Sequence, residues 1–117
     1  MPTPEITVVV PVRNRSGDRL SNCLRSLRWQ DVPAGSVEIV VSDFGSDPHH
    51  ARSIDALAAQ FSTVIERNST GGLWNRSRAL NLGVQAATGR LVMCTDADMI
   101  FAPDFLASVL RAHAASA

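Results

Sequence analysis

Apolar residues recur along the chain in two different rhythms. Four short runs rich in Val and Ile, namely Ile6 to Val10, Val37 to Ser42, Thr63 to Glu66 and Leu91 to Thr95, read as β-strands. The first, second and fourth are nearly continuous in apolar residues rather than alternating, the pattern of strands covered on both faces of a parallel sheet. The stretches between them carry apolar residues three and four apart, which line one side of a helix: Leu20, Leu24 and Leu27, then Ile54, Leu57, Ala58 and Phe61, then Leu80, Val84 and Ala87. A fourth helix is predicted to start at Pro103, a residue favoured in the first turn, and to bury Phe105, Leu106, Val109 and Leu110. The order βαβαβαβα predicts right-handed crossovers and an α/β fold, a doubly wound, mainly parallel sheet of about four strands with helices on both faces. There are no internal repeats or long linkers, and the tail from His113 to Ala117 is expected to fray.

Composition narrows what such a fold does. The 117 residues, 45% hydrophobic and 19% charged, suit one domain spanning residues 1–117 with its own core. Net charge is zero and the arginines are scattered, which argues against nucleic acid and against a polybasic membrane anchor. A small molecule is the expected partner. No apolar run approaches the roughly 20 residues of a membrane span, and the start Met1-Pro2-Thr3-Pro4-Glu5 lacks the regions of a signal peptide, so a cytoplasmic protein is expected. Cys23 and Cys94 read as two reduced core thiols rather than a disulfide or metal pair. His49, His50 and His113 show no metal-ligand spacing, and Trp29 and Trp74 read as core or helix-edge packing.

In open parallel sheets ligands bind beyond the carboxyl ends of the strands, where strand order reverses. With strand order 3-2-1-4, Pro11-Val12-Arg13-Asn14 comes to lie beside Asp96-Ala97-Asp98, and Asp43 borders the same edge. Two carboxylates two residues apart in a turn can approach one hard cation, Mg2+ or Mn2+, and the phosphates it bridges. The alternative is that Asp96 and Asp98 shape the turn and cap the helix near Pro103. Asp43 can accept a hydrogen bond from a base N–H, or serve as a turn aspartate. Arg76 and Arg78 flank the start of the third helix, where a guanidinium and free amides can face a phosphate; Arg78 is read as functional and Arg76 as surface. Gly71-Gly72 reads as a flexible turn.

Four segments together resemble the N-terminal, nucleotide-sugar-binding portion of family 2 glycosyltransferases of the GT-A fold, and the resemblance covers nearly the whole chain. Val8-Val9-Val10-Pro11-Val12-Arg13-Asn14 is similar to the first-strand motif, and Asp43 to the aspartate that contacts the base. Arg78-Ala79-Leu80-Asn81-Leu82-Gly83 with Ala86-Ala87-Thr88-Gly89 is similar to the third-helix signature, and Asp96-Ala97-Asp98 to the Asp-x-Asp that binds metal and diphosphate. Arg13 stands where the family usually has an aromatic residue, Arg15 replaces a common acidic one, and Phe44-Gly45 departs from the usual Gly-Ser.

The resemblance implies a metal-dependent glycosyltransferase that binds a nucleoside-diphosphate sugar for inverting transfer to an acceptor hydroxyl. Pro11, Arg13, Asp43, Arg78 and Asp96 would bind the nucleotide, and Asp96 and Asp98 a divalent cation, Mn2+ or Mg2+. The acceptor site and the catalytic base are expected beyond the Asp-x-Asp, outside this chain. Asp104 matches the family's Pro-Asp helix start rather than the base, so no catalytic residue is assigned. The sugar, the acceptor and any oligomer are left open. Two rival readings remain: a non-catalytic nucleotide-binding or interaction module, and a sugar nucleotidyltransferase. The latter would need a glycine-rich basic loop, of which Arg13-Asn14-Arg15-Ser16-Gly17 is a poor version.

Overall fold

The computed structural model describes residues 3–33, 35–68 and 72–116. Met1 and Pro2 of the leader reading, Gly71 of the glycine turn and Ala117 of the tail lie outside the described residues. Strand and helix alternate in the expected order: β1 (Ile6–Val12), α1 (Asp18–Arg28), β2 (Val37–Phe44), α2 (Pro48–Gln60), β3 (Val64–Asn68), α3 (Arg76–Ala86), β4 (Leu91–Cys94) and α4 (Phe105–Ser116). The strands form one parallel sheet in the order β3-β2-β1-β4. β1 is therefore central, and strand order reverses between β1 and β4.

The period-2 geometry of a strand divides each side chain set between two faces. Ile6, Val8, Val10 and Val12 of β1 join Val37, Ile39 and Val41 of β2 in a buried cluster with Leu20, Cys23, Leu24 and Leu27 of α1, Ile54 of α2 and Leu106 of α4. Three helices thus cover one face. α3 covers the other, and does so at close range through small residues. Ala79 and Gly83 are buried, and a Cβ built on Gly83 would lie 2.4 Å from Val9 Cγ1. The buried Ser42 hydroxyl donates to the Ala79 carbonyl at 2.7 Å, which fastens the helix to β2. The expected stripe of Leu80, Val84 and Ala87 is rotated from the one observed, because Val84 is exposed and Leu80 only half-buried. Periodicity weighted by large apolar residues overlooks an Ala and Gly face.

β1 and β2 are buried along their length, as their apolar runs predict. β4 is not. It is the edge strand, and α3 lies over β1 and β2, so Val92 and Cys94 point outward and are exposed. Cys94 is accordingly not a core thiol, whereas Cys23 is buried; both are free. Trp29 caps the end of α1 and is 72% exposed, at a helix edge rather than in the core. α4 begins at Phe105, after a Pro103-Asp104 turn, and continues through the tail to Ser116.

At the amino ends of the strands a polar clamp fixes the turn between α3 and β4. The Glu38 carboxylate accepts hydrogen bonds from the Thr7 hydroxyl, the Thr88 hydroxyl and the Thr88 amide, each at 2.8 Å. The Gly89 amide donates to Thr7 Oγ1 at 2.8 Å, and a Cβ at Gly89 would come within 2.6 Å of the Thr7 amide nitrogen. Only glycine fits that approach. Burial alone would raise the pKa of Glu38, but these donors and the charge of Arg28 hold it below the ordinary value.

Candidate functional site

The carboxyl ends of β1 and β4 border a cavity of about 240 Å³ lined by Pro11, Arg15, Trp74, Arg76, Asp96, Ala97 and Asp98. Its floor is an anchored turn. Thr95 is buried and its amide donates to the Val9 carbonyl at 3.0 Å, prolonging the β1–β4 ladder by one bond. Ala97 is buried in the apolar cluster, and the Met99 amide closes the turn on the Asp96 carbonyl at 3.4 Å. From below, the Cys23 thiol reaches the same carbonyl at 3.8 Å. Burial, reinforced by the charge of Asp98, pushes that thiol up to about 12, so it stays protonated at neutral pH. With Thr95 and Ala97 held inward, Asp96 and Asp98 both point to solvent.

Neither aspartate caps α4. Its early amide, that of Leu106, is satisfied by Gln30 Oε1 at 2.8 Å, and Gln30 Nε2 donates to the Ser26 and Ala102 carbonyls. The alternative in which the pair exists to cap that helix therefore loses its partner.

Arg76, read from the sequence as a surface residue, is part of the cavity wall: its Nε donates to Asp96 Oδ1 at 2.8 Å. Arg78 lies outside the lining, with its guanidinium 6.0 Å above the Phe44 ring and its amide capped by Asn75 Oδ1 at 3.0 Å. Trp74 is 43% exposed and meets Phe44 edge-on at 6.1 Å, so it is a wall of the cavity rather than core. The misphased reading of α3 explains why Arg76 was read as a surface residue. Arg76, Ala79 and Gly83 share one helical face, and only the last two show that this face meets the sheet.

Of the residues singled out from sequence, Pro11, Asp96 and Asp98 meet at the cavity, while Arg13, Asp43 and Arg78 follow the neighbouring edge. Arg13 lies over Gly45 and donates to the Gly72 carbonyl. Asp43 is almost wholly buried, with Oδ2 paired to Arg67 Nε at 2.9 Å and Oδ1 accepting the Ser46 amide at 3.1 Å. Arg67 was not singled out from sequence. It also pairs with Asp55 at 2.9 Å, and although burial works against its charge, Asp43 and Asp55 outweigh that and raise its pKa. Two loops are tied together nearby: the Asn14 amide donates to Ser46 Oγ at 2.9 Å, and the Asp47 amide to Asn14 Oδ1 at 2.7 Å.

The donor set of the cavity suits a hard cation. It offers carboxylate oxygens with no soft ligand, and among the described residues no three His, Cys, Asp or Glu side chains group into a closed metal cage. Two carboxylates with the remaining positions left to water and phosphate oxygens is the usual way Mg2+ is held. A larger concavity of about 390 Å³, lined by Glu5, Arg90, Leu91, Leu110 and His113, lies at the other end of β4, away from the switch point.

The family model described as Glycosyl transferase family 2 matches residues 7–116, nearly the whole chain. The chain belongs to glycosyl transferase family 2. Curated proteins that it resembles include an N-acetylglucosaminyltransferase of Bradyrhizobium diazoefficiens, 32% identical over 94% of this chain and 23% of the relative. Another is the uncharacterized glycosyltransferase YfnE of Bacillus subtilis, 30% identical over 92% of this chain and 26% of the relative. The chain thus spans about a quarter of the length of these two relatives. Among solved structures, the mannosyltransferase PcManGT of Pyrobaculum calidifontis, in complex with GDP-Man and Mn2+, superposes with a TM-score of 0.78 at 28% identity, over 93% of this chain and 32% of that one. S. aureus TarS in complex with UDP-GlcNAc superposes with a TM-score of 0.75 at 24% identity, over 92% of this chain and 30% of that one. The α/β sheet is the GT-A fold of these glycosyltransferases. Among the described residues no helix is long and apolar enough to cross a membrane.

Proposed function

We propose that residues 1–117 form the donor-binding domain of a glycosyltransferase that holds a nucleoside-diphosphate sugar between β1 and β4 through a divalent cation on Asp96 and Asp98. The observation that carries this reading is the anchored turn, which holds two carboxylates outward at the switch point of the sheet. Mn2+ or Mg2+ bound there would offset the diphosphate charge as it departs. Pro11 and Arg13 border the nucleoside, Asp43 lies beneath Arg67 at the edge where the base would sit, and Arg78 lies on that same edge over Phe44. In the transfer, the bond from the anomeric carbon to the diphosphate oxygen breaks and one to an acceptor hydroxyl oxygen forms. The hydroxyl proton leaves to a base, a role given to none of the described residues. Binding of GDP-Man with Mn2+ by a protein of the same fold supports the cation, and the naming of the relatives puts an N-acetylglucosamine donor first among those to test. A free buried Cys23 and a free exposed Cys94 suit a reducing, cytoplasmic setting.

Isothermal titration with UDP and with GDP, in MnCl2 and in EDTA, tests the site. Asp96→Ala combined with Asp98→Ala should weaken Mn2+-dependent binding more than about tenfold, the scale of losing contacts to a charged group. The thermal midpoint should stay within a few degrees, since both side chains are exposed. Undiminished affinity in the double variant overturns the assignment. A sugar-transfer assay on the same protein separates an enzyme from a binding module.

A further inference from the structure

We propose that Arg76 is a latch that makes cation and diphosphate bind jointly: it occupies Asp96 when the cavity is empty and passes to the diphosphate when the cation takes Asp96. The inference rests on the donor-site reading above. Its basis is the ion pair between Arg76 Nε and Asp96 Oδ1 at 2.8 Å, inside the same cavity that Arg15 and Asp98 line. Both partners are about half exposed, with side-chain accessibilities of 49% and 56%, so the pair is cheap to break. Exposed pairs of this kind correspond to about a two- to fivefold effect on an equilibrium.

Charge decides the coupling. Arg15, Arg76, Asp96 and Asp98 sum to zero within the cavity. A divalent cation alone adds two positive charges and strands the Arg76 guanidinium. The diphosphate of a nucleotide sugar alone adds two negative charges beside two carboxylates, and draws Arg76 away from Asp96. Bound together they restore neutrality, and the pair is broken once instead of twice. Arg76 then has a diphosphate oxygen to which an N–H can donate, a charge-assisted bond. The helix makes this exchange short-ranged, because Ala79 and Gly83 press α3 onto the sheet and keep Arg76 at the cavity wall.

The latch predicts effects of opposite sign from one substitution. In Arg76→Gln, Mn2+ alone, followed through the loss of the free Mn2+ resonance, should bind about two- to fivefold more tightly, because no guanidinium competes for Asp96. UDP or GDP titrated calorimetrically at saturating Mn2+ should bind about tenfold more weakly, through the lost charge-assisted bond. Arg76→Lys, which keeps the charge, should restore most of the nucleotide affinity and provides a second variant should Arg76→Gln fold poorly. Mn2+ affinity that falls or stays constant in both variants overturns the latch, since a purely structural residue weakens both ligands and a surface residue moves neither. Failure of the underlying site is distinguished by the parent protein, which would then show no Mn2+-dependent nucleotide binding at all.

Discussion

Glu38 shows how a single residue far from the cavity holds the site's framework. Its carboxylate ties Thr7 of β1 to Thr88 in the turn entering β4, the two strands between which the cavity opens. Its pKa is depressed on folding, so the stabilisation is present above the unfolded carboxyl value of about 4.3 and is lost as pH falls through the folded one. Chemical denaturation followed from neutral to acid pH should show this directly. Glu38→Gln should lower stability at neutral pH by about 1–2 kcal/mol, the scale of hydrogen bonds to a charged group. It should also show a shallower decline towards acid. A variant whose acid limb matches the parent's would remove Glu38 from this role. The clamp was half legible: Ala86-Ala87-Thr88-Gly89 stood out as a motif, but its partner Glu38 sits within a strand and is found only through the register that pairs it with Thr7.

At the level of elements, α3 decides whether the cavity has a wall. Helix propensity alone says that Gly83→Ala should stabilise by about 1 kcal/mol. Contact says the reverse, since the new Cβ would stand 2.4 Å from Val9 Cγ1 and 3.3 Å from Ser42 Cβ. Val9 is β-branched and stiff within a central strand, so the helix must shift, and overpacking of this kind costs about 1–3 kcal/mol. The expected net result is a loss of about 1 kcal/mol, reversed when Val9→Ala is added, as a double-mutant cycle of urea midpoints would reveal. Stabilisation by Gly83→Ala alone would show that the helix has slack. The same element marks the limit of what the sequence discloses. The apolar runs of β1 and β2 are strong hydrophobic signals, and both strands are buried as those runs predict. The seat of α3 depends on small residues that carry little hydrophobic signal, and Arg76 inherits its position from that seat. β4 fails for a related reason: composition makes it as apolar as β1, but exposure follows from its place at the edge.

Across the whole molecule, strand order sets when the site can exist. β2 and β3 pair Val40 with Val64, but β1 pairs Ile6 with Leu91, near the opposite end of the chain. Closing the longer loop costs more entropy, and contacts of large sequence separation slow folding. The β1–β4 ladder should therefore be the last to form. In pulse-labelled hydrogen exchange during refolding, the Thr95 amide, bonded to Val9, should gain protection after the amides of β3; simultaneous protection would show one concerted step. During synthesis, the first strand would be made early and wait for the last, so that Pro11 and the acidic turn meet only when nearly all of these residues have left the ribosome. Until then the same carboxylates are an unstructured pair on a nascent chain, and any metal sensitivity of folding should be confined to that final docking step.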